Sequence, residues 1–253
     1  VTMTHASTAI DPGVVPAFTL ASGAKIPAIG LGTFGSDRFS LTEIAAAAGV
    51  ALRTGYRLID CASVYGNEHL IGPVLADTMA DLGLAREDVF LISKVWNDAH
   101  EPAAAVASVH KSLEDLKLDY LDALLIHWPF PNTHEPFAAP DARNPSSRPY
   151  IHAEYIALYR ALEELVDAGL IRHLGVSNMT VPKLRLVLRD ARIAPELNEM
   201  ELHPAFQQGE LYQASKDAGM VVIGYSPMGS PRRPARDKFE GDVADMEHPV
   251  VGG

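Results

Sequence analysis

Seven short apolar runs, at about residues 28–32, 57–61, 89–94, 120–127, 171–176, 195–200 and 221–225, alternate with helical patterns at intervals of roughly thirty residues. Strands alternating with helices at that spacing signal βαβ units and a parallel sheet. Ahead of them, residues 18–20, a Ser22-Gly23 turn and residues 25–27 read as a small hairpin. The helices have local signals. Ser40-Leu41-Thr42-Glu43 is a capping box, Glu101-Pro102 places proline in a first turn, and Thr180 reads as a cap. Pro73 leaves the start of the helix between residues 67 and 82 open, because an interior proline removes a donor. Residues 128–149 make a long loop rich in Pro, Asn and Ser, as functional lids are.

The stretch 58–68, LIDCASVYGNE, changes character within a few positions. Its apolar start fits a buried strand, and Asp60, Ser63, Tyr65, Asn67 and Glu68 follow. Asp60 could simply cap the next helix and Tyr65 pack in a loop. The next two strands change that weighting, since they end at Lys94 and His127. In barrels of this construction the C-terminal strand ends carry the chemistry. A free tyrosine has a pKa near 10, and a neighbouring ammonium lowers it. A buried lysine needs a carboxylate to keep its charge. Asp60 is therefore expected to pair Lys94, Lys94 to tune Tyr65, and His127 to orient a carbonyl oxygen. Such a set protonates an oxyanion but supplies no electron pair, so a hydride must come from a cofactor.

Bulk properties narrow the function classes. The formal net charge of −11 disfavours a nucleic-acid surface, which wants a clustered basic face. No run approaches the roughly 18 apolar residues of a membrane helix. The single cysteine, Cys61, allows no internal disulfide and reads as a buried small hydrophobe. Residues 1–17 lack an apolar signal core and read as a flexible leader, with residues 18–253 as one domain. A cytoplasmic location is expected. No G-x-G-x-x-G follows the first strand, so a Rossmann reading lacks its fingerprint.

Several motifs occur together in order: GLGTF from Gly30, DCASVYGNE from Asp60, SKVWN from Ser93, LIHWP from Leu125, GVSN from Gly175 and YSPMGS from Tyr225. With them the chain resembles the aldo-keto reductase family from about Phe18 onward. The resemblance implies a (β/α)8 TIM barrel that binds an extended NADPH, with NADH left open, and reduces aldehydes or ketones. It implies a catalytic tetrad of Asp60, Tyr65, Lys94 and His127, with Tyr65 as the acid and no metal. Ser177 and Asn178 would hold the nicotinamide carboxamide and Tyr225 would stack on its ring. Gly32 and Thr33 would lie near the ring, and Ser226, Met228 and Ser230 near the pyrophosphate. Phe34, Trp96 and Trp128 would line an apolar pocket for a small carbonyl substrate. If the barrel is complete, a monomer is expected.

Two departures from the pattern stand out. The family usually has glutamine at the position of Glu199, and an ionised carboxylate accepts but cannot donate. The family also continues beyond Gly253 with an eighth strand and final helices, so the chain is expected to lack these and to be part of a longer one. In that case the last strand should stop near Tyr225 beside an open gap, and residues 229–253 should be poorly anchored. The competing reading from another class is a non-catalytic relative that uses the barrel as a binding or sensing module. A metal-dependent barrel hydrolase would want His-x-His or several strand-end carboxylates, and His127 is followed by Trp128 and Pro129.

Overall fold

The computed structural model describes residues 9–35, 38–131, 148–229, 245 and 251. A short antiparallel hairpin, β1 (Ala17–Thr19) and β2 (Lys25–Pro27), comes first. A seven-stranded sheet follows, with strand order equal to chain order: β3 (Leu31–Gly32), β4 (Leu58–Asp60), β5 (Phe90–Val95), β6 (Leu121–Ile126), β7 (Ile171–Ser177), β8 (Leu197–Glu201) and β9 (Val221–Tyr225). All neighbouring pairs are parallel. Each connection carries a helix, in turn α1 (Leu41–Thr54), α2 (Glu68–Leu82), α3 (Pro102–Leu116), α4 (His152–Asp167), α5 (Val181–Asp190) and α6 (Gly209–Asp217). The sheet curls into a nearly closed barrel. Among the described strands β3 and β9 are its two unpaired ends, and β9 stops at Tyr225 as the sequence led us to expect.

The strands are short and apolar because both of their faces are covered. Every residue of β5 and of β6 is buried. One face, with Ile59, Leu91, Leu124, Ile126, Leu174 and Met200, packs against the helices. The other face fills the barrel with Leu58, Phe90, Ile92, Ala123, Leu125, Leu197 and Val221. Leu20 and Ile26 of the hairpin join that inner cluster and plug its floor. Side chains alternate along a strand, so the positions in phase with these inner residues also point inward. Asp60, Lys94, Glu199 and Tyr225 are in that phase, at the C-terminal ends of their strands. The lumen thus runs from apolar at the hairpin to charged at the opposite mouth. It is tightly filled: a Cβ on Gly175 would come within 2.9 Å of Leu125 Cγ and Leu197 Cβ.

Several local expectations are refined. The first barrel strand covers only Leu31–Gly32, since the preceding residues turn in from the hairpin. Ser40 and Glu43 form the full capping box. The Glu101 carboxylate accepts from the Ala104 amide and caps α3, an unforeseen role. Pro73 sits inside α2, which starts ahead of it at Glu68. Thr180 holds the cap position of α5, yet its side chain accepts no capping hydrogen bond. At one point the segment after Gly229, expected to be poorly anchored, is held: Asp245 is 2% exposed and its carboxylate meets His203 Nδ1 at 2.8 Å. The rest of that segment, and the long loop at 132–147, lie outside the described residues.

Candidate active site

Lys94 is the penultimate residue of β5 and is 1% exposed. An ammonium so placed is stable only with its donors used and its charge matched. Its Nζ donates to Asp60 Oδ1 and Oδ2 at 2.5 and 2.6 Å and to the Cys61 carbonyl at 3.1 Å. Burial pulls the Lys94 pKa down, and the Asp60, Glu199 and Tyr65 charges overcome that and hold it above its usual value. Lys94 is therefore charged. Burial raises the Asp60 carboxyl in turn, with the ammonium opposing it.

Tyr65 ends a single 3-10 turn, Ser63–Tyr65, directly after β4. The Ser63 hydroxyl donates to the Lys94 carbonyl at 3.0 Å, tying the turn to β5. The Lys94 ammonium lies 5.5 Å from the centroid of the Tyr65 ring. Lys94 lowers the phenol as expected, but the net shift is upward. Burial raises it most, Lys94 lowers it, and Asp60 and Glu199 push it up again. Burial, the largest effect on the phenol, outweighs the pull of the ammonium. Tyr65 is thus held in its protonated, proton-donating form.

His127 follows β6, and its ring meets Tyr65 edge-on at 5.8 Å between centroids. Burial pushes its pKa down to about 3, with Lys94 adding to the effect, so the imidazole is neutral. Its Nδ1 is buried without a partner. Trp96 packs on the His127 ring at 5.0 Å and Phe34 on the Tyr65 ring at 5.2 Å. Phe34 is 63% exposed, so an apolar rim stands open above the phenol. Trp128, beside His127 in the chain, packs at a tilt against Phe130 with 5.8 Å between ring centroids.

The expected cofactor residues cluster next to this group. The Asn178 side-chain amide donates to the His127 carbonyl at 2.9 Å and to Ser177 Oγ at 3.1 Å. Its Oδ1 accepts from the Tyr225 hydroxyl at 2.7 Å. Asn178 has φ 54°, a left-handed turn that asparagine tolerates, and its N–H bonds the Glu199 carbonyl at 3.0 Å. Glu199 is 3% exposed, and its Oε1 lies 3.5 Å from Lys94 Nζ, reaching across the lumen from β8 to β5. Its Oε2 is buried without a partner. Thr33 donates through both its N–H and its hydroxyl to the Asp60 carbonyl, fixing Gly32 beside β4. A Cβ on Gly32 would meet nothing within 4 Å, so that backbone faces open space. Ser226 also has a left-handed φ, 51°, and Met228 is 53% exposed. Ser230 lies outside the described residues.

Three contributions were not anticipated as parts of the site. The Cys61 carbonyl takes the third Lys94 donor, and a backbone atom leaves no trace in residue type. Asn67 donates to the Thr33 carbonyl at 2.9 Å, and Glu68 accepts from Ser93 and Ser112 at 2.6 and 2.8 Å. Both belong to the polar burst after β4, which was the available signal. Among the described residues no group of His, Cys, Asp and Glu is arranged to hold a metal ion.

The sequence model described as the aldo/keto reductase family matches residues 28–251. The chain belongs to the aldo/keto reductase family. It is thus an oxidoreductase by family. It is 40% identical over 240 residues to an aldo/keto reductase of Synechocystis, covering 93% of this chain and 71% of that one. It is 39% identical to the glycerol 2-dehydrogenase (NADP(+)) of Hypocrea jecorina, over 84% of this chain and 68% of that one. A solved aldo-keto reductase of Bombyx mori, in complex with NADP, superposes with a TM-score of 0.76 at 30% identity, over 91% of this chain and 70% of that one. Other relatives are matched over 64% and 65% of their length. The solved relatives have the (β/α)8 barrel expected from the sequence. No helix among the described residues is long and apolar enough to cross a membrane.

Proposed function

We propose that this aldo/keto reductase reduces an aldehyde or ketone to the alcohol with NADPH, using Tyr65 as the acid. The observation that carries the reading is a neutral phenol held beside a buried Asp60–Lys94 pair and a neutral imidazole, under an open apolar rim. The polar groups beside it suit an amide-bearing ring: Ser177 retains a hydroxyl hydrogen, Glu199 Oε2 is an orphan, and Gly32 presents open backbone. Gly32, Thr33, Ser177, Asn178, Glu199 and Tyr225 would hold the nicotinamide end, with Ser226 and Met228 toward the pyrophosphate. Asn178, whose Oδ1 accepts from the Tyr225 hydroxyl, would hold the carboxamide, and Tyr225 would stack on the ring.

The chemistry that NADPH would supply when bound is a hydride for the carbonyl carbon. His127, being neutral, keeps one N–H to direct the substrate oxygen toward Tyr65. The Tyr65 Oη proton passes to that oxygen as negative charge develops on it, and Lys94 stabilises the phenolate left behind. Solvent then restores the phenol proton. Phe34, Trp96 and Trp128 exclude water from the reacting carbonyl.

The test is consumption of NADPH, and separately NADH, against a panel of aldehydes, ketones and sugars. Turnover with NADPH on a carbonyl substrate is the expected result. Tight NADPH binding with no turnover on any member would favour the binding or sensing module instead.

A further inference from the structure

Glu199 is the lumen carboxyl with the weaker hold on Lys94: one oxygen reaches Nζ only at 3.5 Å and the other is buried without a partner. An ammonium has three donors. Those of Lys94 go to Asp60 Oδ1, Asp60 Oδ2 and the Cys61 carbonyl. Glu199 Oε1 stands at 3.5 Å from the same nitrogen, a longer and weaker contact than either Asp60 oxygen makes, and Oε2 is buried and unpartnered. A carboxylate in that position would be a desolvated charge beside a second one, Asp60. A carboxylic acid there needs no donor and carries one to offer. Three charged or titratable groups face Glu199 across the lumen: Asp60 from β4, Tyr65 from the turn after it and Lys94 from β5. Its partners in register on the flanking strands, Ser177 and Ile223, carry no charge.

We infer that Glu199 works as a neutral acid, and that loss of its proton, acting through Lys94 rather than by ionising Tyr65, sets the alkaline limit of the reaction. Once ionised, Glu199 competes with Asp60 and Cys61 for the Lys94 donors and draws the ammonium toward β8. Its negative charge also makes the phenol a weaker acid, in the direction in which it already acts on Tyr65. Burial and the Asp60 charge raise the Glu199 pKa to about 8, against the pull of Lys94. Tyr65 lies higher still, so Glu199 deprotonates first as the solution becomes alkaline. Glutamine in its place donates and accepts as the neutral acid does but has no proton to lose in this range. The inference rests on the reading of the chain as a carbonyl reductase using Tyr65.

Two measurements test it. The first is the pH profile of kcat for NADPH-dependent aldehyde reduction by the parent and by Glu199→Gln, each normalised to its own acid-side plateau. The parent should lose about tenfold for each pH unit above the inflection, while the variant stays level through that range. Superimposable profiles would overturn the claim. The second is infrared titration of the cofactor-free protein. A protonated-carboxyl band, identified as the difference between parent and variant, should persist at neutral pH and vanish at about pH 8. A difference band already lost below pH 6 would show Glu199 ionised and would equally overturn it. If neither protein reduces any carbonyl, the functional reading fails, and the infrared titration still decides the protonation state.

Discussion

Lys94 sits where water does not reach, and it keeps its charge because Asp60 contacts it with both oxygens. Removing one member of such a pair leaves the other buried and unmatched, at a cost of about 3–5 kcal/mol unless it changes protonation. Lys94→Met should therefore destabilise the protein and lower kcat by orders of magnitude. Asp60→Asn with Lys94→Met should recover much of the stability and none of the activity. Urea melts and kcat on the two variants check this, and equal stabilities would show that the pair is not energetically coupled. At this scale the sequence was informative about residue type. An aspartate, a lysine and a histidine at successive strand ends, with a tyrosine just beyond, were legible as one chemical set. The net direction of the Tyr65 shift was not, because it depends on how deeply the ring is buried, which outweighs Lys94, with Asp60 and Glu199 adding to it. The second contact of Lys94, with Glu199, was hidden too, since the two residues face each other across the lumen and share no local pattern.

The elements were legible wherever a local rule decides them. The alternating apolar runs found the seven barrel strands among the described residues, and the Ser40–Glu43 capping box appears as the sequence predicts. Thr180 did not cap, because whether a hydroxyl caps depends on its rotamer and its competitors, which a sequence does not display. Closeness between helices was equally hidden. Gly72 of α2 lies against α3 so tightly that a Cβ there would stand 2.3 Å from the Asp115 carbonyl oxygen. Gly72→Ala should raise helix propensity by about 1 kcal/mol and yet lower stability overall, since the helices must separate at a cost of roughly 1–3 kcal/mol. A rise in the urea midpoint of this variant would contradict the packing.

Over the whole molecule, the barrel organises charge by depth: an apolar floor under the hairpin, and ionisable groups at the mouth. That gradient is invisible until the strands are in register. It also suppresses imidazoles that would otherwise charge near neutrality. His100, beside Tyr155 in the wall next to the site, has its pKa pushed down to about 4 by burial, with Arg148 adding to the effect. Between that value and the unfolded value near 6.5 the unfolded chain binds more protons, so His100 lowers stability as pH falls through this window. His100→Gln should therefore gain on the parent by up to about 1.4 kcal/mol per pH unit on acidification from 6.5 toward 4. Urea melts of both proteins at several pH values measure it, and a constant difference would show His100 to be exposed to water. The central claim, that this barrel mouth protonates a carbonyl oxygen through Tyr65, has a more direct test in single-turnover hydride transfer from NADPH by Tyr65→Phe. The account predicts a rate reduced by at least about a thousandfold with the NADPH dissociation constant nearly unchanged, because only transition-state protonation is lost. A variant that kept most of the parent rate would show that another group is the acid.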